Sequence, residues 1–126
     1  MKNTKKVQLF FPKLSYKITG ILFAVHNELG RFCSERQYCD FLEQKLKENN
    51  IQYIRERNIN RNIEGDRVGF CIENKIVIDC KAKKFITKDD YLKMQRYLQN
   101  SGKKLGIIVN FRNTYLRPKR IVRIEN

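Results

Sequence analysis

The chain has 126 residues, the length of one domain and short of two. At 41% hydrophobic it can build a core, while 32% charged residues and a formal net charge of +14 give it a strongly basic surface. No apolar run approaches the ~18–20 residues that cross a bilayer, and the stretch Val7–Phe11 behind Lys2, Lys5 and Lys6 is too short for a signal-peptide core, so a cytoplasmic location is expected.

Leu14, Ile18, Ile21, Leu22, Val25 and Leu29 recur at helical spacing and predict an amphipathic helix over 14–29, stopped at Gly30. Ser34 with Gln37 three places on reads as a capping box for a second helix, with Tyr38, Phe41, Leu42 and Leu46 on its apolar face and Asn49-Asn50 at its end. Residues 51–59 alternate loosely as a strand, and 60–67 hold Asn, Gly and Asp as a turn. Strands at 68–72 and 75–82 follow, joined at Glu73-Asn74 as a hairpin. Residues 88–100 predict a third helix, with Tyr91, Met94 and Leu98 on one face and Asp89 and Asp90 in the first turn, where the helix dipole favours acids. The run Leu105–Phe111 is almost wholly apolar, the mark of a central strand covered on both faces. A basic segment, 117–124, offers one further strand. The expected fold is α/β in the order α-α-β-β-β-α-β around one mixed sheet, in a single domain over 1–126 with a basic N-terminal segment (1–13) and a basic C-terminal tail (117–126).

The positive charge sits at the ends. Residues 1–20 carry five lysines and no acid, and 81–126 carry thirteen basic and three acidic side chains, whereas 21–80 are close to balance. A polyanion is the natural partner, and nucleic acid is the commonest for a basic domain of this kind. The cysteines, at 33, 39, 71 and 80, form no CxxC pair, and the single histidine, His26, has no cysteine at zinc-finger spacing. They read as reduced thiols in or near the core rather than as a zinc or disulfide framework.

Chemistry is most strongly suggested by Ile76-Val77-Ile78-Asp79-Cys80-Lys81. Side chains alternate along a strand, so Asp79 and Lys81 share one face about 7 Å apart, while Ile76, Ile78 and Cys80 face the other way. An acid and a lysine on a core strand are costly to bury unless they pair or serve a site. A carboxylate that holds Mg²⁺ beside a lysine that steadies phosphate charge is the equipment of metal-assisted phosphodiester cleavage. Taken alone, D-x-K favours an ordinary salt bridge on an exposed sheet face.

Three separated motifs occur in order: V-H-x-x-L-G-x-x-x-x-E-x-x-Y (Val25 to Tyr38), I-D-C-K-A (Ile78 to Ala82) and Q-R-Y-L followed by L-G-I-I-V-N-F (Gln95 to Phe111). Together the chain resembles the GxxExxY proteins, a small bacterial and archaeal family within the PD-(D/E)XK nuclease superfamily. The resemblance implies a restriction-endonuclease-like fold and a Mg²⁺- or Mn²⁺-dependent phosphodiesterase site. It implies that Glu35, Asp79, Lys81 and Gln95 are the catalytic set, with Glu35, Asp79 and the main-chain carbonyl of Cys80 as metal ligands and Gln95 as a polar contact for lysine, metal water or substrate. Lys83, Lys84 and Arg96, close to these motifs, are candidate phosphate contacts.

The chain departs from the family pattern at two positions. Phe32 stands where a second glycine is usual, and Arg67-Val68-Gly69-Phe70 stands where the family has R-x-D-F, so Gly69 replaces the aspartate that normally bridges the metal. Asp66, three residues earlier, has the wrong strand parity unless a bulge turns it, and Glu73 lies in the turn. The loss at Gly69 argues for weak or absent activity. The expected function is therefore a nucleic-acid-binding, nuclease-like domain with a degenerate site. The alternative is a non-catalytic protein-interaction or ribosome-associated domain on the same fold. His26 and Tyr38 are expected to pack and hydrogen-bond rather than catalyse.

Overall fold

The computed structural model describes residues 10–56 and 69–125. Two helices, α1 (Pro12–Leu29) and α2 (Glu35–Glu48), precede strands β1 (Tyr53–Arg55), β2 (Phe70–Ile72) and β3 (Ile76–Lys81). Helix α3 (Lys88–Ser101) then leads to β4 (Leu105–Asn110) and β5 (Lys119–Val122). The strands form one sheet in the order β1-β2-β3-β4-β5, antiparallel throughout except for the parallel β3–β4 pair that α3 connects. This is a mixed α/β architecture of the restriction-endonuclease-like kind, with the basic C-terminal segment supplying the edge strand. Residues 1–9 of the basic N-terminal segment, the expected turn at 60–67 with Asp66, the part of the first strand beyond Glu56, and Val68 lie outside the described residues.

Strand alternation divides the core in two. Ile76, Ile78 and Cys80 of β3 join Leu105, Ile107 and Val109 of β4 under α1 and α2, with Ile18, Leu22, Leu42 and Leu46 completing that layer. On the opposite face Val77, Ile108 and Cys71 pack against Met94 and Leu98 of α3. All six residues of β4 are buried, as its apolar run requires. Gly106 has no side chain because Met94 of α3 fills the space a Cβ would occupy.

Local chemistry sets the joints. Gly30 ends α1 at φ 77°, ψ −160°, a conformation essentially confined to glycine. Ser34 and Gln37 make the expected capping box at the head of α2. Tyr38 is fully buried, stacks on Phe111 at 4.3 Å, and donates its hydroxyl to the Gly30 carbonyl at 2.5 Å while accepting from Cys33 N–H at 3.2 Å. The glycine and tyrosine of the first motif thus fix the α1–α2 corner, and with it the position of Glu35 as the first residue of α2. His26 binds the Asn113 carbonyl through Nε2 at 2.9 Å and ties α1 to the segment after β4.

Candidate functional site

Asp79 and Lys81 lie at the C-terminal end of β3, on the face covered by α3. Their side chains are 14% and 24% exposed, and Lys81 Nζ is 3.3 Å from Asp79 Oδ2. The third member is Asp90, from the first turn of α3. Its carboxylate is 7% exposed, with Oδ1 3.9 Å from Lys81 Nζ and Oδ2 2.6 Å from Lys83 Nζ. Asp90 is held by a second capping box: Oδ2 accepts the Thr87 N–H at 2.7 Å, and Thr87 Oγ1 accepts the Asp90 N–H at 3.3 Å. Two carboxylates and two ammonium groups therefore alternate around the end of the strand.

The environment decides their charge. Burial pushes the Asp79 carboxyl above its ordinary value, with Lys81 only partly offsetting it. Burial works against the Lys81 ammonium, but Asp79, Glu35 and Asp90 together outweigh it, and the lysine is held above its ordinary value. For Asp90 burial is outweighed by the Lys83 and Thr87 hydrogen bonds, which keep the group below the usual carboxylate range.

Glu35 heads α2, on the other side of the sheet, and its charge acts on Lys81 across the strand end. Gln95 is not brought to Lys81. Its Nε2 donates to the Val122 carbonyl at 2.7 Å and its Oε1 accepts the Ile124 N–H at 3.0 Å, tying α3 to β5. Five residues beyond Asp90 is about 140° further round the helix and about 7.5 Å along it, so Asp90 and Gln95 serve different neighbours. Asp90 takes the place on α3 that the motif suggested for Gln95. The T-x-x-D pattern of Thr87 to Asp90 was the available signal.

The Lys81 carbonyl accepts the Phe111 N–H at 2.9 Å, and the Ile78 carbonyl accepts the Gly69 N–H at 2.9 Å. Odd positions of β3 therefore direct their main chain to β4, and even positions, Cys80 included, direct theirs to the β2 side. The Cys80 side chain is buried in the opposite layer, where its hydrogen bond to Cys39 and its burial push the thiol well up. All four cysteines are free thiols.

Gly69 bonds to Ile78, the residue that the ladder pairs with Phe70, so two successive residues oppose one, the pattern of a β-bulge. A Cβ at Gly69 would stand 3.2 Å from the Ile78 carbonyl oxygen and 3.9 Å from the Cys80 nitrogen, the main-chain atoms that flank Asp79. Glu73 is at the far end of the hairpin, in the turn at φ 52°. Among the described residues no three His, Cys, Asp or Glu side chains cluster to hold a metal ion. The carboxylates of Asp79 and Asp90 are each already engaged by a lysine, which leaves few free anionic donors to strip water from Mg²⁺. These residues do not by themselves make a resident metal site.

The expected phosphate contacts divide. Lys83 is tied to Asp90, and its main chain is pinned to the Asn110 carboxamide at both N–H (3.1 Å) and C=O (2.7 Å). Lys84 is exposed and lines a pocket of about 200 Å³, together with Tyr91, Arg117 and Lys119. Arg96 is exposed on α3. Asn110, 3% exposed at the end of an apolar strand, is the residue that sequence reasoning overlooked, because its role is to hold the loop after Lys81.

A mixed sheet with a single parallel pair and a D-x-K sequence at the end of its central hairpin defines a nuclease-like class of domain. Comparison agrees: the family model of the PD-(D/E)XK nuclease superfamily matches residues 12–124, and the chain belongs to that superfamily. No curated protein and no solved structure was found to match it. Among the described residues no helix is long and apolar enough to cross a membrane.

Proposed function

We propose that this member of the superfamily binds nucleic acid and that its metal-dependent phosphodiesterase chemistry is degenerate. The observation that carries the reading is Gly69. Its vacant Cβ position lies against the peptides on either side of Asp79, where an acid would complete a carboxylate pair, as the resemblance to GxxExxY proteins implies. Without it, Asp79 is neutralised by Lys81 instead of being drawn to a cation. The superfamily usually employs a divalent metal, and Asp79, Glu35 and the Cys80 carbonyl are the groups nearest to that role, too few to fix an octahedral ion and its attacking water.

Binding survives this loss because it needs charge rather than geometry. The sequence after Cys80 carries thirteen basic side chains against three acidic ones, and of these Lys83, Lys84, Arg117 and Lys119 lie near the strand end. A phosphodiester backbone approaching it displaces counterions, so affinity should fall steeply with salt. The test is the slope of log K against log salt concentration for a labelled oligonucleotide. A steep negative slope is expected, and binding that is absent or insensitive to salt would remove nucleic acid as partner and favour a protein partner.

A further inference from the structure

We propose that the pocket beside Lys81 seats one unpaired base of a single-stranded nucleic acid, an inference that rests on the nucleic-acid reading and narrows it to single strands. The pocket continues the site across the sheet. Ile108 pairs with Asp79, Asn110 with Lys81, and Lys119 of β5 with Ile108. Ile108, Asn110 and Lys119 all line the pocket, so it begins one strand spacing, about 4.8 Å, from the acid–lysine pair and on the same face.

Its chemistry fits a nucleotide. The charged side chains in its wall, Lys84, Arg117 and Lys119, are all basic, which suits the phosphates on either side of a base. Tyr91 and Phe85 bring aromatic rings, and Phe85 is 72% exposed, a costly arrangement for a solvated loop but a useful one for stacking. Ile86 and Ile108 supply apolar lining, and Asn113 is a polar member of the wall. About 200 Å³ is below the ~300–1,000 Å³ of pockets for drug-sized ligands, suiting a single base rather than an extended cofactor. A paired, stacked base in a duplex presents no face to such a slot, whereas a single strand does at no unpairing cost.

The discriminating experiment compares an oligothymidylate with an abasic oligonucleotide of equal length and charge, and with a duplex, by fluorescence anisotropy at one salt concentration. The oligothymidylate should bind about tenfold more tightly than the abasic strand, the effect of one stacked base. Phe85→Ala, which removes an exposed ring and spares the core, should erase most of that difference and leave abasic binding unchanged. Arg117→Ala serves as a second variant and should weaken the thymidylate complex. Equal affinity for the thymidylate and abasic strands overturns the pocket while leaving the charge-driven reading intact. A base preference that survives Phe85→Ala undiminished, or tighter binding to the duplex, also overturns it. Failure of every oligonucleotide to bind overturns both.

Discussion

Gly69→Asp is the substitution that most sharply separates a degenerate site from a complete one. The backbone at Gly69 does not occupy the left-handed region, so an L side chain is permitted, but its Cβ meets the Ile78 carbonyl oxygen at 3.2 Å and the strand must give by a few tenths of an ångström. Such overpacking costs about 1 kcal/mol. If the new carboxylate comes within about 5 Å of Asp79, the two repel by about 3 kcal/mol at an effective dielectric of about 20, a cost that Lys81 partly relieves. Without metal, the variant should therefore be about 2–4 kcal/mol less stable than the natural protein at neutral pH. The penalty should shrink in acid, as one member of the pair takes a proton. Divalent metal reverses the sign of the pair. At about a hundred times Kd it would return about 2.7 kcal/mol, a rise in Tm of about 10 °C for a domain of this size. Thermal unfolding of the natural protein, Gly69→Asp and Gly69→Asp/Asp79→Ala with and without Mn²⁺ measures this directly. A metal-dependent shift confined to the single variant is expected. An equal shift in the natural protein, or none in a folded Gly69→Asp, would contradict the proposal that the absence of a carboxylate at 69 weakens the site.

Asp90→Asn should lower stability by about 1–2 kcal/mol, the small end of a charged hydrogen bond because the Lys83 partner is 40% exposed. Because folding holds the Asp90 carboxyl below its ordinary 3.8, that contribution is complete above this value and is lost as pH falls through the lower native value. The natural and variant unfolding curves should accordingly converge in acid. Tyr38→Phe leaves the Gly30 carbonyl and Cys33 N–H without their partner and should cost about 1–2 kcal/mol, with oligonucleotide affinity unchanged, as chemical denaturation and anisotropy will show. Reversing Lys84 and Arg96 to Glu should weaken binding and flatten the salt slope by about one for each phosphate no longer neutralised, while adding the neutral Lys83→Gln should flatten it little further, since Asp90 already engages that lysine.

The elements legible in the sequence were those whose signal is local. The stripes of α1, α2 and α3, the Ser34 capping box, the turn at Glu73-Asn74 and the shared face of Asp79 and Lys81 all follow from local chemistry and side-chain periodicity along helix and strand. The buried run of β4 announced a central strand for the same reason. Features that depend on how elements rotate against one another were not legible. Gln95 and Asp90 both lie on α3, and only the packing of that helix over Val77 and Ile108 determines which of them meets Lys81. Asn110 looked like the polar end of an apolar run, and its hold on Lys83 emerges only once β4 lies beside β3. The basic pocket draws on the loop before α3, the first turn of α3, β4 and β5, so no window of sequence contains it.

A binding domain with a degenerate site is tested most directly by one gel. The natural protein and Asp79→Ala are each given end-labelled single-stranded and duplex substrates in Mg²⁺ or Mn²⁺, and complex and product are resolved side by side. Both proteins should retain a salt-sensitive complex with uncleaved nucleic acid. Robust cleavage by the natural protein that disappears in Asp79→Ala would contradict a degenerate site, and would mean that another group completes it.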